Sequence, residues 1–568
     1  MSKKSFAHLL VLAAVLAGCS KDSLVPDTSA TSPETDTSSG VIDEEEDNID
    51  NTEFVRTISI VWTDSGVSKD GDDGGVVSIN GTAVTIDNRS TTEKVQYELS
   101  GSCASGSLKI YSNNKQSLVL NGLSLTNPAG AAINNQGKKR CFVVVNGSNT
   151  LSDGASAAYT ASGEEDLKAV LFSEGQLCFS GEGSLSVSAL NSQGKSGITS
   201  DDYIYIDGPT IKITAGSGAG HGLRGKDAVV VDAGSLDISV SADMKKGINS
   251  DSLVVFNGGA AVIKASGGTA YDSEDSEYKA SAGVKADQVF KMNAGSLTVS
   301  NSGKGGKGIC GDGVAYFNGG SVKVTVTGEN NGSKSSGGPG GGGWPGGGGH
   351  RAMGSSSESE DYKSAKAIKF DGDIHFNGGS VSATSDNNEC IESKAAISIT
   401  AGDVYAYSKA DDAINAAGDL TVTGGCVYAN SESNDAMDAN GDMKLSGGVV
   451  YAICTAGNPE VALDANTEEQ HKLYIYSGAT VIVYGGLENG YSSSQTVKTF
   501  SCTAGAWNAL GSSSGIIAAF KAPSGKSSFT VSAPSLSKGY KGVSVSGDGL
   551  CNGNLANSGI SGGTESSL

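Results

Sequence analysis

The chain has 568 residues, 82 of them Gly and only 34 aromatic, and carries a formal net charge of −22 at pH 7.

 A balance so acidic disfavours nucleic acid and anionic membrane surfaces as partners, because both repel it. Beyond Cys19 only His221, His350, His375 and His471 remain, scattered and without ligand spacing, which argues against a zinc hydrolase or a histidine-based triad.

At the start of the chain, Lys3 and Lys4 precede the apolar run Leu9 to Leu16. The run is too short to span a bilayer and is flanked as a signal peptide is. It ends in Leu16, Ala17, Gly18 and Cys19, a tetrad that resembles the lipobox of bacterial lipoproteins. Residues 1–18 are therefore expected to be a signal peptide and Cys19 the lipidated first residue, anchoring the chain at the outer membrane or cell surface. Residues 19–52, rich in Ser, Thr and Pro and ending in the acidic run Asp43 to Asp47, cannot form a core and are expected to be a disordered tether.

From residue 53 to 490 the chain repeats. An apolar start residue is followed by apolar pairs six and eight, then thirteen and fifteen, positions later, with Gly at eleven. The start residues are Ile198, Leu223, Ile248, Val284, Ile309, Ile368, Ile391, Ile414, Met437 and Leu463. A fixed period, here mostly 23–25 residues, marks a solenoid whose turns cannot bury an apolar face alone and must stack. Pairs spaced by two are strands, because alternate side chains share a face. Gly234, Gly259, Gly295, Gly320, Gly379, Gly402, Gly425 and Gly448 hold the eleventh position, where a sharp turn disfavours a Cβ.

Three short strands per rung predict an all-β, right-handed, single-stranded parallel β-helix of about a dozen rungs, a rod of about 60 Å. The leucine-rich repeat has a similar period, but its L-x-x-L-x-L signature is missing. Asn257, Asn293, Asn318 and Asn377 share the ninth position and form either an amide ladder or simple Asn-Gly turns. Residues 328–364, with Gly337 to Gly349 around Trp344 and Pro345, read as a low-complexity, disordered insertion.

The chemistry lies in files at equal register. Glu389, Asp412 and Asp435 fall two residues before the start position, and Glu392, Asn415, Asp438 and Asp464 one after it. Like charges stacked about 4.8 Å apart repel by roughly 1 kcal/mol in water and about 3–4 at an effective dielectric near 20, unless a cation sits among them. Ca²⁺ suits such a site, since it accepts six to eight oxygens in flexible geometry. A solvated acidic face is the alternative. A second file, Asp201, Asp251, Asp287, Asp312 and Asp371, is interrupted by Lys226.

Tyr405, Tyr428 and Tyr451 stand 23 apart between inward residues of the third strand, with Tyr476 expected to continue the file. Their parity points them outward, a strip suited to stacking on sugar rings; a plain preference of Tyr for outer strand faces is the alternative. Cys178, Cys390, Cys426 and Cys454 occupy apolar or small repeat positions and read as buried hydrophobes. After about Tyr491 the register fails, and residues 491–568 are expected to be an irregular β cap or tail, as an open rung end requires.

Between residues 97 and 190 come, in order, Tyr97 to Gly101, Leu118 to Leu125, Ala131 to Ile133, Gly147 to Gly154, Ala169 to Ser173 and Gly181 to Leu185, followed by the turns Gly197-Ile198 and Gly247-Ile248. This succession resembles bacterial carbohydrate-binding proteins with a pectate-lyase-like right-handed parallel β-helix. The resemblance covers roughly residues 55–490. It implies binding of acidic plant cell-wall galacturonan and cellulose, with bound Ca²⁺ and no catalytic centre. The resemblance implies that the family's calcium maps to the carboxylate-bearing turns Asp411-Asp412-Ala413-Ile414 and Asn434-Asp435-Ala436-Met437, in the second of which Met replaces the usual Ile.

Calcium-dependent, non-catalytic polysaccharide binding by a monomer is therefore expected. A β-eliminating lyase needs a Lys or Arg base beside the metal, and the candidates near the acids are Lys394 and Lys409. A Lys among carboxylates keeps its proton, which ranks a lyase second, ahead of a surface adhesin or spike.

Overall fold

The computed structural model describes residues 44–335 and 357–568. Its repeats are built as the apolar spacing demands. In one repeat, Ser196–Ser200, Tyr203–Ile206 and Thr210–Ala215 are strands. Each pairs in parallel with its equivalent in the next repeat, Leu223–Gly225, Ala228–Val231 and Ser235–Val240. First strands form a 15-stranded sheet, and second and third strands run in two columns of a 31-stranded sheet. The shorter sheet exceeds the dozen levels expected because Ala83–Asn88, Ser107–Ser112 and Ile133–Asn135 also stack in it.

The start residues pair one above another from Ile198 to Leu463, and none exposes any surface. Burial of each such side chain contributes about 1.5–3 kcal/mol. Thr210–Ala215 alternates exposed and buried along its length, so the period-two pattern places Ile211, Ile213 and Ala215 in the core. At Gly234 the backbone has φ +94°, and a Cβ there would lie 2.4 Å from the Pro209 carbonyl oxygen. Turn conformation and close approach of the neighbouring rung both exclude a side chain. The ninth-position amides do form a ladder: Asn293 donates to Asn257 at 2.8 Å, Asn318 to Asn293 at 2.8 Å and Asn377 to Asn318 at 2.9 Å.

Three parts differ from expectation. Residues 44–52, assigned to the tether, are ordered. Glu44–Asp47 is a short helix and Ile49–Asn51 a 3₁₀ turn, and Ile49 and Phe54 cover outward-facing Phe142, Tyr203, Val230 and Val255. The reason is electrostatic as well as apolar: Asp47 accepts hydrogen bonds from Arg140 Nε at 2.6 Å and the Tyr203 hydroxyl at 2.5 Å. Second, the ends of the 328–364 insertion pair, with Lys334–Ser335 antiparallel to Ser357–Glu358; its Gly-rich middle, like Cys19 and residues 1–43, lies outside the described residues.

Third, the tail is regular. Trp507–Ser512, Gly515–Lys521, Lys538–Val545, Leu555–Ala556 and Ile560–Ser566 form a five-stranded antiparallel sheet. Ser528–Ser532 pairs antiparallel with Thr480–Tyr484, which closes one end of the repeat column. All nine described cysteines are buried and free, among them Cys178, Cys390, Cys426 and Cys454, whose repeat positions imply it.

Candidate functional site

The acidic register is real. Glu392, Asn415, Asp438 and Asp464 pair in sequence across adjacent first strands. Short strands such as Ile414–Ala416 put only the middle residue outward, so these groups have no choice but to stack. Asn415 Nδ2 donates to Asp412 Oδ2 at 2.7 Å and to Asp438 Oδ2 at 3.2 Å, and Asp412 Oδ1 accepts from the Asp435 N–H at 3.1 Å. Asp411 accepts from Asn434 Nδ2 at 2.9 Å. One amide thus knits two carboxyls, and backbone N–H groups reach Asp412 and Asp435.

The stack divides by charge. Glu389 and Glu392 are taken by Lys366, at 3.1 Å and 2.5 Å, and Glu392 also pairs with Lys394. Burial pushes the Glu392 carboxyl up, but Lys366 and Lys394 together bring it below its usual range. Asp412, Asp435, Asp438 and Asp464 form no ion pair among the described residues. Burial, then the neighbouring Asp411, pushes Asp412 up to about 9. Burial raises Asp435 to about 7, against the Val461 N–H that opposes it, and burial with Asp411 raises Asp438 to about 6. Asp464 is raised by burial and by its hydrogen bond with Glu488. Such carboxyls fold either protonated or around a cation. Oxygen donors of this kind suit a hard cation such as Ca²⁺ better than a soft metal, but among the described residues it is Asp166, Glu174 and Asp201, not this stack, that bring three carboxylate oxygens within 4.8 Å of one another.

The aromatic strip is not a surface. Tyr405 and Tyr428 stack with centroids 5.1 Å apart, as their register requires, but Tyr428 is 5% and Tyr451 0% exposed. The antiparallel sheet lies over them: Tyr451 packs edge-on to Phe520 and donates its hydroxyl to the Lys521 carbonyl at 2.9 Å. Parity did turn these rings outward from the repeat core, and the tail then covered them. Tyr476 leaves the file, because Tyr451 pairs with Ile482 while Tyr476 stacks on Tyr474 at 6.1 Å. Tyr428 and Tyr451 are therefore covered by protein rather than open to a sugar ring.

The second acidic file is neutralised: Asp201 pairs with Lys168 at 2.5 Å, Asp251 with Arg224 at 2.8 Å, Asp287 with Lys285 at 2.5 Å, and Asp371 with Lys369. Lys409, a candidate base, pairs with Asp386 at 2.6 Å, as Lys394 does with Glu392.

Near the other end of the column the same turns open a cavity of about 440 Å³, lined by Lys138, Lys168, Glu174, Asp201, Asp202, Arg224 and Lys226. Glu174, Asp201 and Lys226 each stand three residues after a first-strand core position, Leu171, Ile198 and Leu223. The Lys226 that seemed to break an acidic file was the sequence signal of this site. Among the described residues, Asp166, Glu174 and Asp201 place carboxylate oxygens within 4.8 Å of one another, and the Lys168 ammonium sits there, 2.9 Å from Asp166.

Residues 80–252 match the family described as carbohydrate-binding domain-containing protein. The match supports carbohydrate binding by this part of the chain. Among solved structures, the gadolinium derivative of the polysaccharide lyase-like protein from C. thermocellum is 19% identical over 47% of this chain and 100% of that one, with a TM-score of 0.37, a likeness too distant to carry fold or function. No curated protein matches the chain.

Proposed function

We propose that the protein binds polysaccharide without cleaving it, as a right-handed parallel β-helix held to the cell surface through a lipid on Cys19 and charged with Ca²⁺. The family match over residues 80–252 carries the reading of carbohydrate binding. The carboxyls without an ion pair support the cation: buried Asp412 and Asp435 and half-buried Asp438 and Asp464, with Asp411 at their edge, would hold it. A Ca²⁺ held by these residues would neutralise the stack and supply the positive charge that a polymer carboxylate needs. Asp412 and Asp435 are covered, so approach is over the half-buried Asp411, Asp438 and Asp464. Glu389 and Glu392, both ion-paired with Lys366, take no part. Acidic galacturonan is the preferred ligand, and cellulose a second.

The test is retention of the mature protein on immobilised polygalacturonate, cellulose and neutral glucans, with Ca²⁺ and with chelator. Retention on polygalacturonate that chelator removes is expected. Full retention in chelator would overturn the role given to calcium, and no retention on any glycan would overturn the function.

A further inference from the structure

We infer that the cavity between Lys138 and Lys226 is a separate subsite for one carboxylate-bearing sugar unit, independent of the acidic stack. The inference rests on the reading of polysaccharide binding and names where, and through which groups, an acidic unit is held.

The cavity lining carries four cationic and three anionic side chains on a chain whose net charge is −22. It is a place where an anion meets clustered cationic side chains on an otherwise repelling protein. Its cations are not equivalent. Lys168 is spent on Asp166 and Asp201, and Arg224 on Asp251. Lys138 and Lys226 are exposed and form no ion pair among the described residues, so their ammonium groups are available to a ligand carboxylate.

The acids serve the remainder of a sugar. Glu174 is half-buried, and its carboxyl has no hydrogen-bond partner among the described residues. Burial, then Asp201 and Asp166, raises it, while Lys168 and Lys138 oppose. Asp202 is fixed by Gln176 Nε2 at 2.6 Å and by the Tyr203 N–H at 2.9 Å. A carboxylate held in place, beside one that lacks a partner, accepts hydrogen bonds from ring hydroxyls. The lining has no aromatic residue, so recognition here is by charge and hydrogen bonding rather than stacking. A neutral sugar would leave Lys138 and Lys226 without a partner and gain little. The site also lies within the stretch that matches the carbohydrate-binding family, whereas the acidic stack lies outside it.

The experiment compares wild type with Lys138→Ala/Lys226→Ala, both in saturating Ca²⁺, by titration calorimetry against oligogalacturonate and its methyl ester. Both lysines are exposed, so an unchanged melting curve is expected and shows the fold intact. The double variant should bind oligogalacturonate about tenfold or more weakly, the loss of about 1.4 kcal/mol expected for two charge-assisted contacts. Its affinity should also depend less steeply on salt, and the ester, which gains nothing from the two lysines, should bind wild type and variant alike. Lys138→Arg/Lys226→Arg should restore binding. Equal affinity of the double variant and wild type for the acid, or of wild type for acid and ester, overturns the subsite while leaving polysaccharide binding intact. Failure of wild type to bind any glycan overturns both.

Discussion

Replacing Asp412 by Asn tests the acidic stack most directly. In the absence of metal, a carboxyl raised from 3.8 to about 9 on folding takes up a proton across that interval. The folded state binds more protons than the unfolded one, so stability is full below pH 3.8, falls as pH rises and levels off above about 9. Each tenfold fall in proton activity costs about 1.4 kcal/mol, about 5–6 kcal/mol by pH 8 as an upper figure. Asn removes that term but loses the Oδ2 acceptor that Asn415 uses, at about 1–2 kcal/mol. In chelator, Asp412→Asn should therefore be more stable than wild type by about 3–5 kcal/mol at pH 8 and nearly equal at pH 5. Added Ca²⁺ should reverse the order at pH 8, because it stabilises the deprotonated wild type by mass action. Urea unfolding at both pH values, with and without Ca²⁺, reads all four numbers. A wild type whose chelated stability does not fall between pH 5 and pH 8, with a variant no better at pH 8, would refute the reasoning and return the stack to a solvated face.

Other outcomes follow from single residues. Tyr451→Ala deletes a fully buried ring beneath the tail sheet, at about 3–5 kcal/mol; limited proteolysis should then release fragments from residues 500–568 while the repeat column persists. Gly234→Ala meets both a left-handed backbone and the Pro209 carbonyl, and its melting temperature should fall by the equivalent of at least about 1–3 kcal/mol. Lyase chemistry predicts a rise in ultraviolet absorbance from unsaturated uronate ends when polygalacturonate and Ca²⁺ are added. With Lys394 and Lys409 both held in ion pairs, a flat trace from neutral to alkaline pH is expected, and a rise would overturn the non-catalytic reading.

The repeat register was legible in the sequence alone. Ile198 to Leu463 could be set in one file, and Glu392, Asn415, Asp438 and Asp464 beside it, because a parallel stack converts equal spacing along the chain into neighbours in space. The asparagine ladder was legible for the same reason. Periodicity states which way a side chain points from its own strand, however, and nothing about what comes to lie upon it. Only the tertiary structure decided that Tyr428 and Tyr451 face a second sheet rather than solvent, since the covering residues, Phe520 and Phe529, come from a segment without the repeat. In the same way Arg140 and Tyr203, far along the chain, made an anchor of Asp47 within what composition marked as a tether. The lysines decided the fate of the acids. Lys366, one register step from Glu389, silences one end of the stack, while Asp412 and Asp435 have no such neighbour, and the difference between an ion pair and an uncompensated charge rests on distances that spacing alone does not contain.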